Sequence, residues 1–298
     1  MNKLYIFLLI LMCFSCNEKA TKNQYPKELV IGFIPSEEAE RMIKNLKPVA
    51  NYLSKELQIP VKVYKGNDYT AIIEAMRSEK LDIAIFGPFS YVLASKKAGA
   101  EALVVPASRE GKLATYNSLI VANKRAGITS IQQLVDTPNK FSLSFSDPAS
   151  TSGHLVPRGH LISLGIKPET HFKDILFSGS HTATILALAT GKIDVAGCSY
   201  KVYNKMIKRG MLKEEEVTIL WKSKDLPVDL VTIRNGISDA LKTKVRNAYV
   251  KMADKAPETA GYFYEEWNDS SLVYIPAQDK MYSDIKRLAN FVNKDLNN

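Results

Sequence analysis

The segment of the sequence best suited to chemistry is a hydroxyl-rich turn at residues 147–154, DPASTSGH. Ser150, Thr151 and Ser152 follow a predicted strand at 141–145 and precede an apolar helical pattern. Hydroxyls and backbone N–H groups at a helix N-terminus can donate together to a tetrahedral oxyanion without a formal positive charge. A simple N-cap is the alternative, because Ser, Thr and Asp favour that position for capping alone.

An internal repeat supplies a second set of candidates. Residues 70–84 and 182–196 are identical at seven of fifteen positions, and both copies end in a Lys-apolar-Asp-apolar-Ala turn. Two Ala-rich helices before strands would also align in part, because βαβ units share a binary pattern. The repeat predicts two similar halves that face each other across a cleft. It places Tyr69 and His181 at matching helix starts, where N–H groups and the helix dipole favour an anion.

The elements that would position these residues are apolar strands alternating with amphipathic helices, the pattern of βαβ units. The predicted fold class is therefore α/β, with two lobes and a ligand cleft between them. We assign residues 28–120 and 234–298 to lobe 1 and residues 121–233 to lobe 2. The lobes should close about hinges at 118–123 and 228–235, as in proteins that bend around a buried solute.

Composition restricts the class of partner. The 298 residues are 46% hydrophobic and 24% charged, as in an ordinary globular chain long enough for two lobes. The net charge of +9 comes from Lys and Arg spread along the chain, which suits an anionic solute or a membrane surface. Nucleic acid is the competing partner of a basic chain, but no basic stripe interleaved with aromatics and no recognition motif occurs. We predict no nucleic-acid partner.

The first residues predict export. Residues 1–15 form a signal peptide, because a short basic start precedes an apolar run too short to span a bilayer. A small residue then precedes Cys16, and a polar stretch follows, which resembles the lipobox and tether of bacterial lipoproteins. We predict lipidation at Cys16, a tether at 16–27 and a lipid anchor in a bacterial membrane. An ordinary signal peptide cleaved nearby is the alternative, because Cys13 and Phe14 depart from the usual lipobox residues.

Several segments together resemble the phosphonate- and phosphite-binding proteins of ABC transporters. They are the turn at 147–153 with the following Leu-Val-Pro, Gly-Ser-His-Thr at 179–182, Asp-Val-Ala at 194–196 and Leu-Asp-Ile-Ala at 81–84. The similarity runs from about residue 29 to residue 276. It implies a two-lobed periplasmic binding protein of type II, joined by hinge strands, that delivers a small phosphorus oxyanion to an ABC permease. A monomer without cofactor, located at the cell envelope on the periplasmic or extracytoplasmic face, is expected.

In that family the oxyanion is held by a Ser-Thr pair, by a histidine that opens a helix and by tyrosines of the first lobe. The resemblance therefore implies a ligand set: Ser150, Thr151, His181, Tyr69 and Tyr116. Tyr116 depends on the resemblance alone, and a buried strand aromatic is its alternative. Asp229 follows a strand-like stretch and could lie at a hinge crossing or at the mouth of the cleft, and the resemblance suggests a ligand-side role.

Other functions find less support in the residues. A Ser150–His181 dyad is the best catalytic arrangement available, and it lacks a nucleophile elbow, an orienting carboxylate and an oxyanion partner. We predict no enzyme. His154, His160 and His171 are not spaced as metal ligands, so no metal site is predicted. A lipoprotein receptor that presents the bound anion to a signalling partner is the alternative function.

The sequence also carries a prediction about selectivity. Members of the resembled family that bind aminoalkyl phosphonates place a carboxylate opposite the ammonium, whereas this chain has Ser199, Tyr200 and Lys201 after the strand at 194–198. A lysine there would repel an ammonium in a poorly screened cleft. We expect phosphite, methylphosphonate or a similar short oxyanion to bind better than 2-aminoethylphosphonate. Asp229 could still receive an amine from the other side of the cleft.

Overall fold

Two mixed β-sheets organise the chain in the computed structural model, which describes residues 25–260 and 271–296. The predicted signal peptide, Cys16 and most of the predicted tether lie outside the described residues. The strands, in chain order, are β1 (Leu29–Phe33), β2 (Val61–Val63), β3 (Ile83–Phe86), β4 (Glu101–Ala107), β5 (Thr115–Tyr116), β6 (Ser118–Asn123), β7 (Ser142–Phe145), β8 (Asp174–Phe177), β9 (Val195–Ser199), β10 (Val217–Lys222), β11 (Leu226–Pro227), β12 (Leu230–Ile233) and β13 (Val273–Pro276).

Helices cover both sheets. They are α1 (Ala39–Leu57), α2 (Tyr69–Arg77), α3 (Pro88–Ala98), α4 (Ile131–Asp136), α5 (Val156–Ser163), α6 (Pro168–His171), α7 (His181–Ala189), α8 (Tyr200–Lys208), α9 (Asp239–Lys255) and α10 (Ser283–Leu296). A π-helical turn, Thr151–Leu155, leads directly into α5, and 3₁₀ turns occur at Lys124–Ala126, Glu214–Glu216 and Asp279–Tyr282. Among the described residues, no helix has both the length and the apolar character that crossing a bilayer requires.

The sheet order defines two lobes. The first sheet has the order β13-β4-β12-β3-β1-β2, and the second has the order β10-β6-β9-β7-β8. Strands β1, β2 and β3 are parallel, as are β7, β8 and β9, which is the product of βαβ connections. The predicted α/β class is confirmed. A separate two-stranded ladder pairs β5 with β11 antiparallel, on the two chain segments that pass between the sheets.

These pairings differ from the lobe boundaries that the sequence suggested. Strand β6 belongs entirely to the second sheet, whereas a boundary after residue 120 divides it. Strand β12 pairs with β3 and β4 of the first sheet, although residues 121–233 were assigned to lobe 2. An apolar run identifies a strand, but its pairing partners decide which sheet it joins, and these are distant in sequence. Below, lobe 2 denotes residues 118–222 and lobe 1 the remaining described residues apart from the β5–β11 segments.

The core of each lobe lies on both faces of its sheet. In β1, Leu29 and Ile31 face the cluster that α1 and α9 cover, while Val30 packs against the cluster of α2 and α3. This burial on two faces explains why the strand is a nearly continuous apolar run. Lobe 2 has the same two-sided arrangement, with one cluster under α7 and α8 and another under α4 and α5.

Candidate ligand-binding site

A cavity of about 70 Å³ lies between the two lobes. All seven residues that the sequence nominated for the ligand line it: Tyr69, Tyr116, Ser150, Thr151, Ser152, His181 and Asp229. This volume exceeds the roughly 10–15 Å³ that a single water molecule needs. The cavity therefore has room for a compact solute.

The hydroxyl-rich turn is partly a cap and partly a cavity wall. The Ser150 hydroxyl accepts a hydrogen bond from the Gly153 N–H at 3.0 Å, so the capping interpretation is correct for this residue. The Leu155 N–H donates to the Ser150 carbonyl at 3.0 Å, five residues back, which makes the turn π-helical. Insertions of this kind are frequent at functional sites, because the extra residue redirects neighbouring side chains.

Thr151 joins this turn to the other lobe. Its hydroxyl oxygen accepts a hydrogen bond from the backbone N–H of Phe89, at the start of α3, at 2.8 Å. A Cβ on Gly87, the N-cap of α3, would lie 3.4 Å from oxygens of both Thr151 and Asp229. The bare glycine thus lets a hydroxyl and a carboxylate approach the helix start closely.

His181 is a neutral hydrogen-bond donor. Its Nδ1 accepts from the Ser199 N–H at 3.2 Å and lies 3.0 Å from the Ser146 hydroxyl, so the ring hydrogen is on Nε2. Nε2 lies 3.4 Å from the Ser152 hydroxyl. Burial, reinforced by the nearby Lys201 ammonium, lowers the pKa of His181 to about 3. The imidazole therefore donates without carrying a charge at neutral pH.

The two cavity tyrosines are also kept protonated. Burial, followed by the negative charge of Asp147, raises the pKa of Tyr69 well above its usual value. Burial and the charge of Asp229 raise the pKa of Tyr116 in the same direction. The Ser150 hydroxyl lies near the Tyr69 phenol, and the Ser152 and Thr151 hydroxyls lie near that of Tyr116. Tyr116 lies on β5, so it is a cavity residue on the crossing ladder rather than a core strand aromatic.

The first backbone N–H of each repeat helix lies beside an acceptor of the protein. The His181 N–H donates to the Ser36 carbonyl of lobe 1 at 3.0 Å. The Tyr69 N–H lies near the Asp147 carboxylate. The first N–H of α7 is therefore satisfied within the protein, because a loop of lobe 1 provides an acceptor that the sequence does not reveal. The side chains of these residues, rather than their first N–H groups, face the cavity.

The catalytic dyad considered from the sequence does not form. Among the described residues, the hydroxyl partners of His181 are Ser146 and Ser152, whereas the Ser150 hydroxyl serves the Gly153 N–H. In residues 25–260 and 271–296, no three His, Cys, Asp or Glu side chains are grouped so that they could hold a metal ion.

A buried relay supports the turn from behind. His154 Nδ1 lies 2.8 Å from the Pro148 carbonyl, and its Nε2 accepts from Arg158 at 2.9 Å. Arg158 in turn pairs with Glu169 at 2.5 Å. Burial lowers the pKa of His154 to about 4, with the Arg158 charge as a further cause. The neutral imidazole can thus donate to the carbonyl and accept from the guanidinium, which fixes both ends of the turn.

Sequence reasoning missed several cavity residues. Glu37, Asn45, Gly87 and Ser199 line the cavity beside the nominated set. A signal for two of them exists, because extending the repeat alignment past β3 and β9 places Gly87 opposite Ser199, each just before the next helix. Glu37 lies outside the repeat, and nothing in its sequence surroundings indicates burial.

Comparison with known proteins identifies the family. Residues 31–282 match the model described as "ABC transporter, phosphonate, periplasmic substrate-binding protein". The phosphate-import protein PhnD of Mycolicibacterium smegmatis is 27% identical over 93% of this chain and 90% of its own. The phosphonates-binding periplasmic protein of Escherichia coli is 27% identical over 80% of this chain and 70% of its own.

A solved structure agrees. The binding protein component of an ABC phosphonate transporter from Pseudomonas aeruginosa superposes with a TM-score of 0.79 at 27% identity, covering 90% of this chain and 87% of that one. The two-lobed fold expected from the sequence is thereby confirmed. The chain belongs to the periplasmic substrate-binding proteins of the ABC phosphonate transporter family.

Proposed function

We propose that this protein captures a small phosphorus oxyanion, namely a phosphonate, phosphite or phosphate, in the interlobe cavity and delivers it to an ABC permease. The observation that carries the proposal is the cavity itself, whose walls combine uncharged donors from both lobes in a space of about 70 Å³. The names of the relatives support the ligand class, since one is a phosphate importer and another binds phosphonates. Family membership implies a transport role and an extracytoplasmic location.

The cavity offers the donors that such an anion accepts. The Tyr69 and Tyr116 phenols, the Thr151 and Ser152 hydroxyls and the Nε2–H of His181 can each donate to a phosphoryl oxygen. Lys201 adds a positive charge at the same wall. Hydrogen bonds to an ionised acceptor are about twice as strong as neutral ones, so several together compensate for removing the anion from water.

Asp229 adds a requirement for the ligand's protonation state. A carboxylate only accepts hydrogen bonds, so next to a fully ionised oxyanion it would repel. A ligand that keeps a proton on one oxygen, such as a phosphonate or phosphate monoanion, can donate that proton to Asp229. Sulfate carries no proton at neutral pH. The proposal therefore includes discrimination against sulfate.

Closure of the lobes completes the site. Two backbone N–H groups bridge the lobes, from Phe89 to Thr151 and from His181 to the Ser36 carbonyl, and opening the cleft would break both. We place the hinge at the β5–β11 ladder, which lies on both crossing segments, rather than at 118–123 and 228–235, because those ranges contain β6 of the second sheet and β12 of the first. The protein acts as a monomer attached to the membrane through lipid on Cys16.

Calorimetric titration of the purified protein with phosphite, methylphosphonate, phosphate and sulfate tests this function. We expect saturable binding of at least one phosphorus oxyanion, with sulfate at least about tenfold weaker because of Asp229. X-ray scattering should show a smaller radius of gyration in the bound state. Absence of binding to all the phosphorus anions would refute the proposal.

A further inference from the structure

A buried carboxylate lies in the cavity wall outside the predicted ligand set. Glu37 belongs to the loop between β1 and α1, lines the cavity, and has a side chain only 3% exposed. With Asp229 lying among the phenols, Glu37 is the other carboxylate of this lining. By position alone it could receive an ammonium group on a ligand.

The charge of Glu37 is already taken by two cations, one from each lobe. Its Oε1 lies 2.8 Å from Nζ of Lys205, on α8 of lobe 2, and that lysine is itself only 15% exposed. Its Oε2 contacts the Arg41 guanidinium of α1, in lobe 1. Lys205 lies one helical turn beyond Lys201, so both are on one face of α8, where Lys201 lines the cavity and Lys205 reaches Glu37 in its wall. A ligand ammonium would enter a region where the carboxylate is neutralised and these lysines repel it.

We propose that Lys205, by pairing with Glu37 across the cleft, sets the selectivity of the cavity against ammonium-bearing phosphonates. This inference rests on the proposed function. Removing one partner of a buried ion pair leaves the other with an uncompensated charge. In the absence of the Lys205 ammonium, Glu37 would keep Arg41 alone, and the ammonium of a bound 2-aminoethylphosphonate could take the vacant place. Lys205 is thus a specificity-determining residue that need not touch the ligand.

The test compares selectivity rather than affinity. Dissociation constants for methylphosphonate and 2-aminoethylphosphonate are measured by calorimetry for the parent, Lys205→Met, Glu37→Gln and the double variant. Lys208→Met, which removes an exposed lysine from the same helix, is the matched control. In Lys205→Met the ratio of the two dissociation constants should shift by at least about tenfold in favour of 2-aminoethylphosphonate. Adding Glu37→Gln in the double variant should reverse that shift.

The outcomes separate the two proposals. A parent that binds methylphosphonate, together with a Lys205→Met ratio within about twofold of the parent, would overturn this inference alone. A shift that survives in the double variant would also overturn it, because Glu37 would then have no part. A parent that binds no phosphorus oxyanion would overturn both. If Lys205→Met fails to fold, as judged by circular dichroism, Lys205→Gln keeps the polar chain and should give the same shift.

Discussion

The two copies of the repeat use one scaffold in the two lobes. In lobe 1 the Asp68 carboxylate caps α2 by accepting from the Ala71 N–H at 2.7 Å. In lobe 2 the Ser180 hydroxyl caps α7 by accepting from the Ala183 N–H at 3.2 Å. Each helix is followed by the same turn and then by a central strand of its sheet. The two copies therefore share local structure as well as sequence.

The copies differ at the residue that opens the helix, and that residue faces the ligand cavity. Tyr69 offers a buried phenol, whereas His181 offers an imidazole whose orientation is fixed by the Ser199 N–H. A duplicated frame thus provides two different donors on opposite walls of one cleft. The comparison separates the residues that maintain the frame from those that line the interlobe cavity, and each set can be tested separately.

The largest expected effect concerns the aspartates that are conserved between the copies. Asp82 accepts from the Val30 N–H at 2.8 Å and pairs with Arg234, while Asp194 accepts from the Ser142 N–H at 2.9 Å. Asp82→Ala should cost about 3–5 kcal/mol of unfolding free energy, because it leaves a partly buried guanidinium without this partner. Asp194→Ala should cost about 1.5–3 kcal/mol. Urea titration of both variants measures the difference, and equal costs would contradict this interpretation of the two turns.

The next effect is on binding. His181→Ala and Tyr69→Phe should each weaken binding of the preferred oxyanion by about 1.5–3 kcal/mol, because each removes a hydrogen bond to a charged acceptor. Thr151→Ala should do the same. Tyr52→Phe is the control, since the Tyr52 hydroxyl donates to the Ala248 carbonyl in the core of lobe 1. Unchanged affinity in a cavity variant would show that its side chain is only structural.

Acid should affect the two lobes unequally, because all four histidines of the chain lie between residues 154 and 181. The folded-state pKa values of His154 and His181, about 4 and about 3, lie below the unfolded value of 6.5. The unfolded chain thus binds more protons, and stability is lost as pH falls below 6.5. The slope should approach about 1.4 kcal/mol per pH unit for each histidine. Urea titrations from pH 7.5 to pH 5 measure it, and a His154→Gln variant should flatten the curve.

The smallest effect concerns the matched turns. Glu79 has φ 59° where the second copy has Gly191 with φ 72°. A left-handed conformation costs a non-glycine residue about 1–2 kcal/mol, so Glu79→Gly should stabilise slightly and Gly191→Ala should destabilise by about 1 kcal/mol. The Glu79 carboxylate is 3.5 Å from Arg234 and largely exposed, so its loss matters little. Differential scanning calorimetry should show a higher melting temperature for Glu79→Gly and a lower one for Gly191→Ala.

The sequence predicted what depends on local pattern. The α/β class, the repeat and the convergence of Tyr69, His181 and the hydroxyl-rich turn all follow from periodicity and from a strand, turn and helix in order. It could not predict that β12 joins the first sheet, because strand pairing is decided by distant partners. Nor could it predict that Ser36 accepts the His181 N–H, since that bond exists only when two loops from different lobes meet.

The burial and ion pairing of Glu37 could not be predicted from the sequence either. Its neighbours in sequence are polar and resemble the start of an ordinary solvated helix. Only packing against α8 buries its carboxylate and pairs it with Lys205. The selectivity against an ammonium was predicted from Lys201 alone. That prediction left out the Glu37 carboxylate of lobe 1, because nothing in the sequence indicates that Glu37 lines the cavity.

The position of β12 also determines the order in which the molecule can assemble during synthesis. This strand lies between β3 and β4, which emerge long before it, with the whole of lobe 2 made in between. Lobe 2 is contiguous in sequence and can complete its sheet first. The sheet of lobe 1 stays incomplete until β12 is made, and pairing this late strand costs the entropy of closing a long loop. Asp229 arrives immediately before β12. The interlobe cavity is consequently among the last features of the nascent chain to form, and a truncated chain that ends before residue 229 would lack the Asp229 wall.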